Sequence, residues 1–511
     1  MADKLLSYQL EHVEKLVYSL TSYNRALDTS QTGTGKTYTS IAVCKIFGWK
    51  PFIVCPKSVI TSWIKVLEFM KCDFYGITNY ESIQNCKYFD KDGNKVKAKF
   101  LVREELKQEE LLNYDEEDDE PDKIKYSYKW INDEIPQDMI IIFDEAHRCK
   151  NISTNNGKIL VNLAELKHIK ILILSATVVD KPKYFILMGY VLGLYEKYNQ
   201  GRHWLKNAGK NYENPMQGVN KKITEYTSRM KISNLGDVFP DNYVTAECLE
   251  MDNAVEIQAQ YEVIKEAAED LKKKENSAVA LAKLIYARQR IEMLKIPSFI
   301  ELTEAHIKEN KSIVIFVNFT DTLKTLSDKL NTKCVIFGEQ TLEERDANID
   351  AFNKDKFRIC ICNTKSGGCG ISLHDTIGDH PRVSIISPTW SAQDLIQVLG
   401  RIFRANTKTK VRQRIIFCAG TVEDGVCKNV KEKIANIAML NDGDMGSYQI
   451  KGLIEGNEKS LIKEDTDIVS FENIFVKLTK LYEKREMLNK EIDIVKKEIE
   501  ISEQIINSQL N

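Results

Sequence analysis

SQTGTGKT, Ser30 to Thr37, decides how the rest of this 511-residue chain is read. Phosphate loops of the GxxxxGK[ST] pattern begin with glycine, and here the first position is Ser30. The surrounding sequence supplies the required context. Ile41, Cys44, Lys45 and Ile46 recur at helical spacing and Gly48 is a natural stop, so the loop opens a helix. Backbone N–H groups and a helix N-terminus then face an anion held in the loop. Gly33 and Gly35 permit close backbone approach. With Ser30, Gln31, Thr32 and Thr34 completing the loop, Lys36 reaches β- and γ-phosphates and the Thr37 hydroxyl reaches Mg²⁺. The leading position asks only for a small residue.

A nucleotide site of this kind needs an acidic group at a strand end, and DMIIIFDEAHRCK provides it. The apolar run Ile140 to Phe143 reads as a buried parallel strand leading into Asp144 and Glu145. Asp144 suits a metal, and Glu145 suits orientation or deprotonation of an attacking water. A third strand, IKILILSAT, ends in Ser175-Ala176-Thr177, hydroxyl residues placed to link a γ-phosphate to a bound strand.

SQTGTGKT, DEAH and SAT in this order resemble motifs I, II and III of superfamily-two helicases and translocases. SIVIFVNFTDTL, NTKSGGCGISLH and QDLIQVLGRIFRA resemble motifs IV, V and VI. The resemblance implies an α/β fold of two RecA-like parallel-sheet domains, with ATP and Mg²⁺ in the cleft between them. It implies an arginine finger in Arg404, with Arg401 beside it and Gln397 as a coupling residue. CPKSVITSWIKVLEF, NYESI, DEAHRCKN and TSRMKISNLGDVFPDN are similar to the Swi/Snf-type branch, the chromatin-remodeller group. Gln9 matches that family's adenine-reading glutamine, an amide able to donate and accept. By the same resemblance Lys57, Ser58 and Thr61, and Thr364, Lys365, Ser366 and Gly367 in the second lobe, touch the tracked strand. Three departures stand out. Motif I is not DEGLGKT-like, Val178 follows SAT, and Ala405-Asn406 replaces Gly-Gln after the second arginine. Transcript-release helicases of large DNA viruses are a related alternative.

Composition, 43% hydrophobic and 9% aromatic, is ordinary for a globular protein. Net charge is −2 and the pI about 6.5, which argues against a wholesale basic nucleic-acid binder while leaving room for a local basic surface. The twelve cysteines form no CxxC pair. They read as buried reduced thiols, including Cys360 and Cys362 in the strand-like FRICIC, and fit an intracellular compartment. No apolar run approaches eighteen residues, so no membrane span or secretion is expected. Abundant Lys, Ile and Asn suggest an AT-rich source such as a large DNA virus, hence the nucleus, a viral factory or a virion.

The domains expected are lobe 1 over 1–190, a helical insertion over 191–300, lobe 2 over 301–440, a linker over 441–470 and a coiled-coil helix over 471–511. Residues 85–135 interrupt lobe 1: five lysines (Lys87, Lys91, Lys95, Lys97, Lys99) precede a segment, 101–122, with eleven carboxylates against two basic residues. The stretch AVEIQAQYEVIKEAAEDLKKKENSAVALAKLIYARQRIEML reads as helix, and its Lys272, Lys273, Lys274, Arg288 and Arg290 face either phosphates or solvent. From Ile474 to Ile506, stepping by fours and threes, eight of ten positions are apolar, a heptad seam that needs a partner. That partner is a second copy, another protein's helix or the body of this chain. The functional expectation is an ATP-dependent translocase on double-stranded DNA. The alternatives are strand separation on DNA or RNA, and a non-catalytic coiled-coil scaffold.

Overall fold

The computed structural model describes residues 4–105, 126–179, 181–235, 239–272, 277–364, 371–389, 391–421 and 423. The expected linker 441–470 and coiled-coil helix 471–511, the acidic residues 106–125, and Lys365, Ser366 and Gly367 lie outside them. Two compact units are present. One takes in the chain through Glu247 together with Phe299–Phe417; the other takes in Cys248–Ser298 and the described residues of Cys418–Val426.

The first unit begins with strands β1 (Arg25–Asp28), β2 (Lys50–Cys55), β3 (Gly76–Asn79), β4 (Lys87–Phe89), β5 (Lys95–Lys97), β6 (Leu101–Glu105), β7 (Tyr126–Trp130), β8 (Met139–Asp144), β9 (Lys170–Leu174) and β10 (Thr227–Ser228). Eight of them form one sheet in the order β10-β1-β9-β8-β2-β3-β4-β5, and β6 pairs with β7 apart from it. The neighbours from β10 to β3 run parallel, and β4 and β5 add an antiparallel hairpin. Parallel strands need helices on both faces, and the side-chain alternation serves both. Ile53, Cys55, Ile140, Ile142, Leu172 and Leu174 pack beneath helices α1 (Ser7–Tyr23), α2 (Lys36–Phe47) and α3 (Ile60–Met70). Phe52, Val54, Ile141, Phe143, Ile171 and Ile173 pack on the other face, under α4 (Tyr80–Ile83), α5 (Asn155–Ala164), α6 (Phe185–Val191), α7 (Gly201–Gly209) and α8 (Pro215–Ile223).

A second sheet has the order β11-β16-β15-β12-β14-β13. Its strands are β11 (Asn242–Leu249), β12 (Ser312–Val317), β13 (Val335–Ile336), β14 (Ile359–Asn363), β15 (Arg382–Ile386) and β16 (Val411–Cys418). Every residue of β12 and β15 is buried, as for central parallel strands. Cys360 and Cys362 of β14 are fully buried thiols with sulfurs 3.7 Å apart. The helix Ala392–Leu399 leads from β15 toward β16, and its N-cap Ser391 accepts from the Asp394 N–H. The two sheets are the two RecA-like domains.

The second unit is built on α9 (Ala254–Lys272) and α10 (Ser277–Leu294). Ile257, Tyr261, Ile264 and Ala268 of α9, and Ala280, Leu284, Ala287 and Ile291 of α10, are buried at alternating spacings of four and three. This stripe makes the two helices a pair. Beside it a Lys295–Glu423 ion pair is buried, with 1 % and 3 % of the two side chains exposed, and the Tyr261 hydroxyl donates to Glu423 at 3.1 Å. Arg288 titrates below its usual range, to about 10, because burial disfavours its charge.

Lys295→Met leaves the Glu423 carboxylate buried without its cation. Chemical denaturation should report a loss of about 3–5 kcal/mol. The double variant Lys295→Met/Glu423→Leu should recover most of it. Equal losses in both would show that the pair's charges are not what stabilises this unit.

Candidate functional site

Four strand ends of the first sheet deliver the site. β1 runs into Ser30–Thr37, β8 ends on Asp144 and Glu145, β9 ends before Ser175, and β2 ends before Lys57. Ligands of open parallel sheets sit at this carboxyl edge.

The loop itself is strapped from behind by the chain that follows β10. Thr29 N–H donates to Ser228 O at 3.0 Å and Gln31 N–H to Met230 O at 3.2 Å. In return Met230 N–H donates to Ser30 Oγ at 2.9 Å, and Ile232 N–H to Gln31 Oε1 at 2.6 Å. The departure from glycine at the first position has a physical reason here. Ser30 does not occupy a positive φ, and its hydroxyl satisfies a backbone donor that glycine would leave unserved. A buried chain sits below the loop: Asp28 Oδ1 accepts the Ser30 N–H at 2.8 Å, Asp28 Oδ2 lies 2.9 Å from His12 Nε2, and Ser228 Oγ lies 2.6 Å from His12 Nδ1. Burial would push the Asp28 carboxyl up, yet His12 and Lys36 hold it below the ordinary range.

Gly33 and Gly35 take φ of 83° and 95°. Its φ is what requires glycine at Gly35, and a Cβ there would lie 2.3 Å from Gln9 Nε2 and displace that amide. Gln9 Nε2 donates to Thr34 O at 3.0 Å, placing the amide expected to read adenine against the loop. Thr34 Oγ1 donates to Gln31 O at 2.8 Å. Lys36 Nζ donates to Ser30 O at 2.9 Å and Gln31 O at 3.3 Å. Its ammonium thus occupies the hollow where phosphate oxygens are expected, with Thr37 next in the first turn of α2. The cradle fits a nucleotide's phosphates, and Thr37 with Asp144 offers the oxygen donors that Mg²⁺ prefers.

Asp144 and Glu145 are held differently. The Trp63 indole N–H donates to Asp144 Oδ2 at 2.9 Å, and the Tyr80 hydroxyl donates to Asp144 O at 2.7 Å. Glu145 adopts φ 55°, ψ 47°, a left-handed backbone that a glutamate accepts only where its surroundings impose it. His147 Nδ1 lies 3.3 Å from both Glu145 Oε2 and Ser175 Oγ, and Gln397 Nε2 donates to His147 Nε2 at 3.4 Å. Burial and the charge of Glu145 push Asp144 above the usual carboxylate range. Burial acts on Glu145 too, but His147, Lys36 and Arg401 outweigh it and hold that carboxyl low.

The second sheet's motif meets the loop directly. A Cβ on Gly400 would lie 1.9 Å from Thr32 Oγ1, and one on Gly33 would lie 3.0 Å from Arg404 Cγ. Arg404 donates to Gly400 O at 3.2 Å and Ile371 O at 2.8 Å, and Arg401 donates to Ile371 O at 3.4 Å. Burial, then the neighbouring Arg401, pushes Arg404 down to about 9, so it remains a cation at neutral pH. Asn406 takes φ 65°, a left-handed backbone that Asn tolerates better than most residues. Gln393 adds a second bridge, donating to Thr177 O at 3.0 Å while accepting from Lys150 Nζ at 2.9 Å. Thr177 Oγ1 is buried with no hydrogen-bond partner among the described residues.

The expected strand-contact residues fall in two places. Lys57 and Thr61 are exposed at the short turn opening α3, and Ser58 Oγ between them is buried with no partner among the described residues. Thr364 is buried after β14 and donates to Val317 O at 3.1 Å. Sequence reading missed Trp63, His147, Lys150 and Gln393 as site residues. Trp63 and His147 lay inside motifs already quoted, but their partners are tens to hundreds of positions away.

Residues 3–180 match the family described as "Type III restriction enzyme, res subunit", and residues 294–406 match "Helicase conserved C-terminal domain". A protein of Acanthamoeba polyphaga mimivirus, named "Putative ATP-dependent RNA helicase", is 39% identical over 470 residues, covering 87% of this chain and 85% of its own. The Arabidopsis thaliana protein "CHD3-type chromatin-remodeling factor CHR7" is 25% identical over 200 residues, 38% of this chain and 16% of that one. The structure titled "Sulfolobus solfataricus SWI2/SNF2 ATPase core in complex with dsDNA" is 15% identical with a TM-score of 0.33, covering 87% of this chain and 94% of that one.

Ser30→Ala keeps a small residue at the loop and removes only the acceptor for Met230 N–H. An unserved buried donor costs about 1–3 kcal/mol, which chemical denaturation reads as an earlier unfolding midpoint. An unchanged midpoint would remove the strap from the account of the loop's stability.

Proposed function

The chain belongs to the superfamily-two helicases, and from that premise we propose that it is an ATP- and Mg²⁺-dependent motor that moves along double-stranded DNA without separating its strands. The observation that carries this reading is the approach of Gly400 and Arg404 to Thr32 and Gly33, since a motor of this type needs residues from both sheets on one phosphate loop.

In this reading Gln9 receives the adenine. Lys36 exchanges its carbonyl partners for β- and γ-phosphate oxygens. Thr37 and Asp144 hold Mg²⁺, which supplies charge neutralisation when bound. Glu145, ionised and fixed by His147, orients the attacking water and takes its proton. Arg401 and Arg404 face the charge that develops on the transferred phosphoryl group. Ser175 and Thr177 carry the change to Gln397 and Gln393, and the ATP cycle closes and opens the cleft. Lys57, Ser58 and Thr61, with Thr364, Lys365, Ser366 and Gly367, hold the tracked strand through its backbone, which carries no sequence information.

Support for a duplex track is the Swi/Snf-type spelling of CPKSVITSWIKVLEF and DEAHRCKN. A second reading, strand separation on RNA, is favoured by the name of the mimivirus relative. That relative also favours a viral factory or nucleus as the place of action.

Steady-state ATPase assays with no polymer, duplex DNA, single-stranded DNA or RNA separate the readings, with Lys36→Ala as the inactive reference. Stimulation mainly by duplex DNA is expected. Stimulation mainly by single strands or RNA would replace translocation with unwinding, and turnover equal to Lys36→Ala in all four conditions would end the motor reading.

A further inference from the structure

The hairpin β4–β5 has a lysine-covered face that the ATP site does not use. Lys87 pairs opposite Lys97, Tyr88 opposite Val96, and Phe89 opposite Lys95. Residues directly opposite in an antiparallel pair project from the same side. Tyr88 and Val96 therefore share one side, where Tyr88 packs on Phe52 and Phe100 with ring centroids 5.4 and 5.9 Å away. Lys87, Lys95 and Lys97 share the other side around Phe89, with Lys95 Nζ 5.8 Å from that ring's centroid. All three are exposed, and none forms an ion pair among the described residues. Lys91 in the turn and Lys99 after β5 are exposed as well.

The topology aims this side. Phe89 packs at the margin of the apolar cluster under α1, α2 and α3, so the lysines lie on the α3 side of the sheet. Ile77 pairs with Phe89, which sets Lys87 beside Asn79 at the carboxyl end of β3, and Thr78 Oγ1 donates to Lys87 O at 2.7 Å. Lys87 and Lys97 thus stand at the same edge as the phosphate loop, Asp144 and Lys57. With about 4.8 Å between neighbouring strands, β4 and β5 lie about 10 and 14 Å along that edge from β2. This distance matches about three to four phosphate steps of one strand of a duplex.

Lysines on an edge strand commonly guard it against pairing with another chain. That explanation covers Lys95 and Lys97 of β5. It does not cover Lys87, which sits in an inner strand paired on both sides, directly opposite another lysine. Like charges so placed are unfavourable in the free protein, and a polyanion relieves them.

We propose that Lys87, Lys95 and Lys97 form a phosphate-binding face that prolongs the contact row begun by Lys57, Ser58 and Thr61 along one backbone of the nucleic acid. It rests on the nucleic-acid motor reading given above. Lysine here acts as a point charge, so the face adds affinity and salt dependence without sequence preference.

The test is equilibrium binding of a short DNA duplex to the full chain across a salt series, comparing wild type with Lys87→Gln/Lys95→Gln/Lys97→Gln. Each lost phosphate contact lowers the slope of log K against log salt by about 0.9 on a duplex. The triple variant should lose about 2 to 3 from the slope, and polymer-free ATPase should stay at the wild-type rate. Lys87→Gln alone, which leaves β5 intact, should lose about one third as much. A wild-type slope retained in both variants overturns the proposal while leaving the motor reading intact. Absence of nucleic-acid binding by the wild type overturns the motor reading itself. Raised polymer-free ATPase with an unchanged slope also overturns the proposal, since the lysines would then hold an acidic stretch of protein.

Discussion

The structure depends on how a short phosphate loop is held from two sides. Behind it, residues 228–232 exchange hydrogen bonds with Thr29, Ser30 and Gln31. In front, Gly400 and Arg404 of the other sheet press on Thr32 and Gly33. The loop's backbone donors remain oriented because neither side can relax alone. A loop of glycines and threonines has little packing of its own, so its shape has to be imposed by neighbours. The segment that straps the loop also carries the chain toward β11, so the loop's geometry and the chain between the two sheets are bonded to each other.

Charge follows from this arrangement. Asp144 and Glu145 are adjacent, half-buried carboxylates, where both cannot be ionised at equal cost. His147, Lys36 and Arg401 lie nearer in effect to Glu145, so it keeps its charge and Asp144 is pushed the other way. Trp63 links the acid to α3, and α3 opens at Lys57–Thr61. A change in how Asp144 is bound is thereby one hydrogen bond from the helix that faces the proposed track.

Much of this was legible in the sequence, and for a physical reason. Motif spacing records which strand ends meet, and strand ends carry the chemistry in open parallel sheets. β8 was readable because a strand covered on both faces is apolar throughout, and the stretch holding α9 and α10 was readable as helix, though its division into two paired helices was not. Ser30 looked like a departure; its hydroxyl accepts a backbone N–H that glycine would leave unserved. What was not legible is contact across the fold. Nothing near Gln393 says that it spans Thr177 and Lys150, and nothing near His12 says that its ring lies between Asp28 and Ser228. The lysine run at 87–99 was visible as composition, but its common face needed the strand register.

The central claim is that residues of the second sheet complete the phosphate loop. Arg404→Lys tests it most directly, because it keeps a positive charge and removes the planar fork. Measuring ATP affinity and single-turnover hydrolysis on the same preparation, the account predicts affinity within a few-fold of wild type and hydrolysis lower by about 10³. Hydrolysis at the wild-type rate would contradict it and leave the loop of the first sheet as a complete catalyst alone.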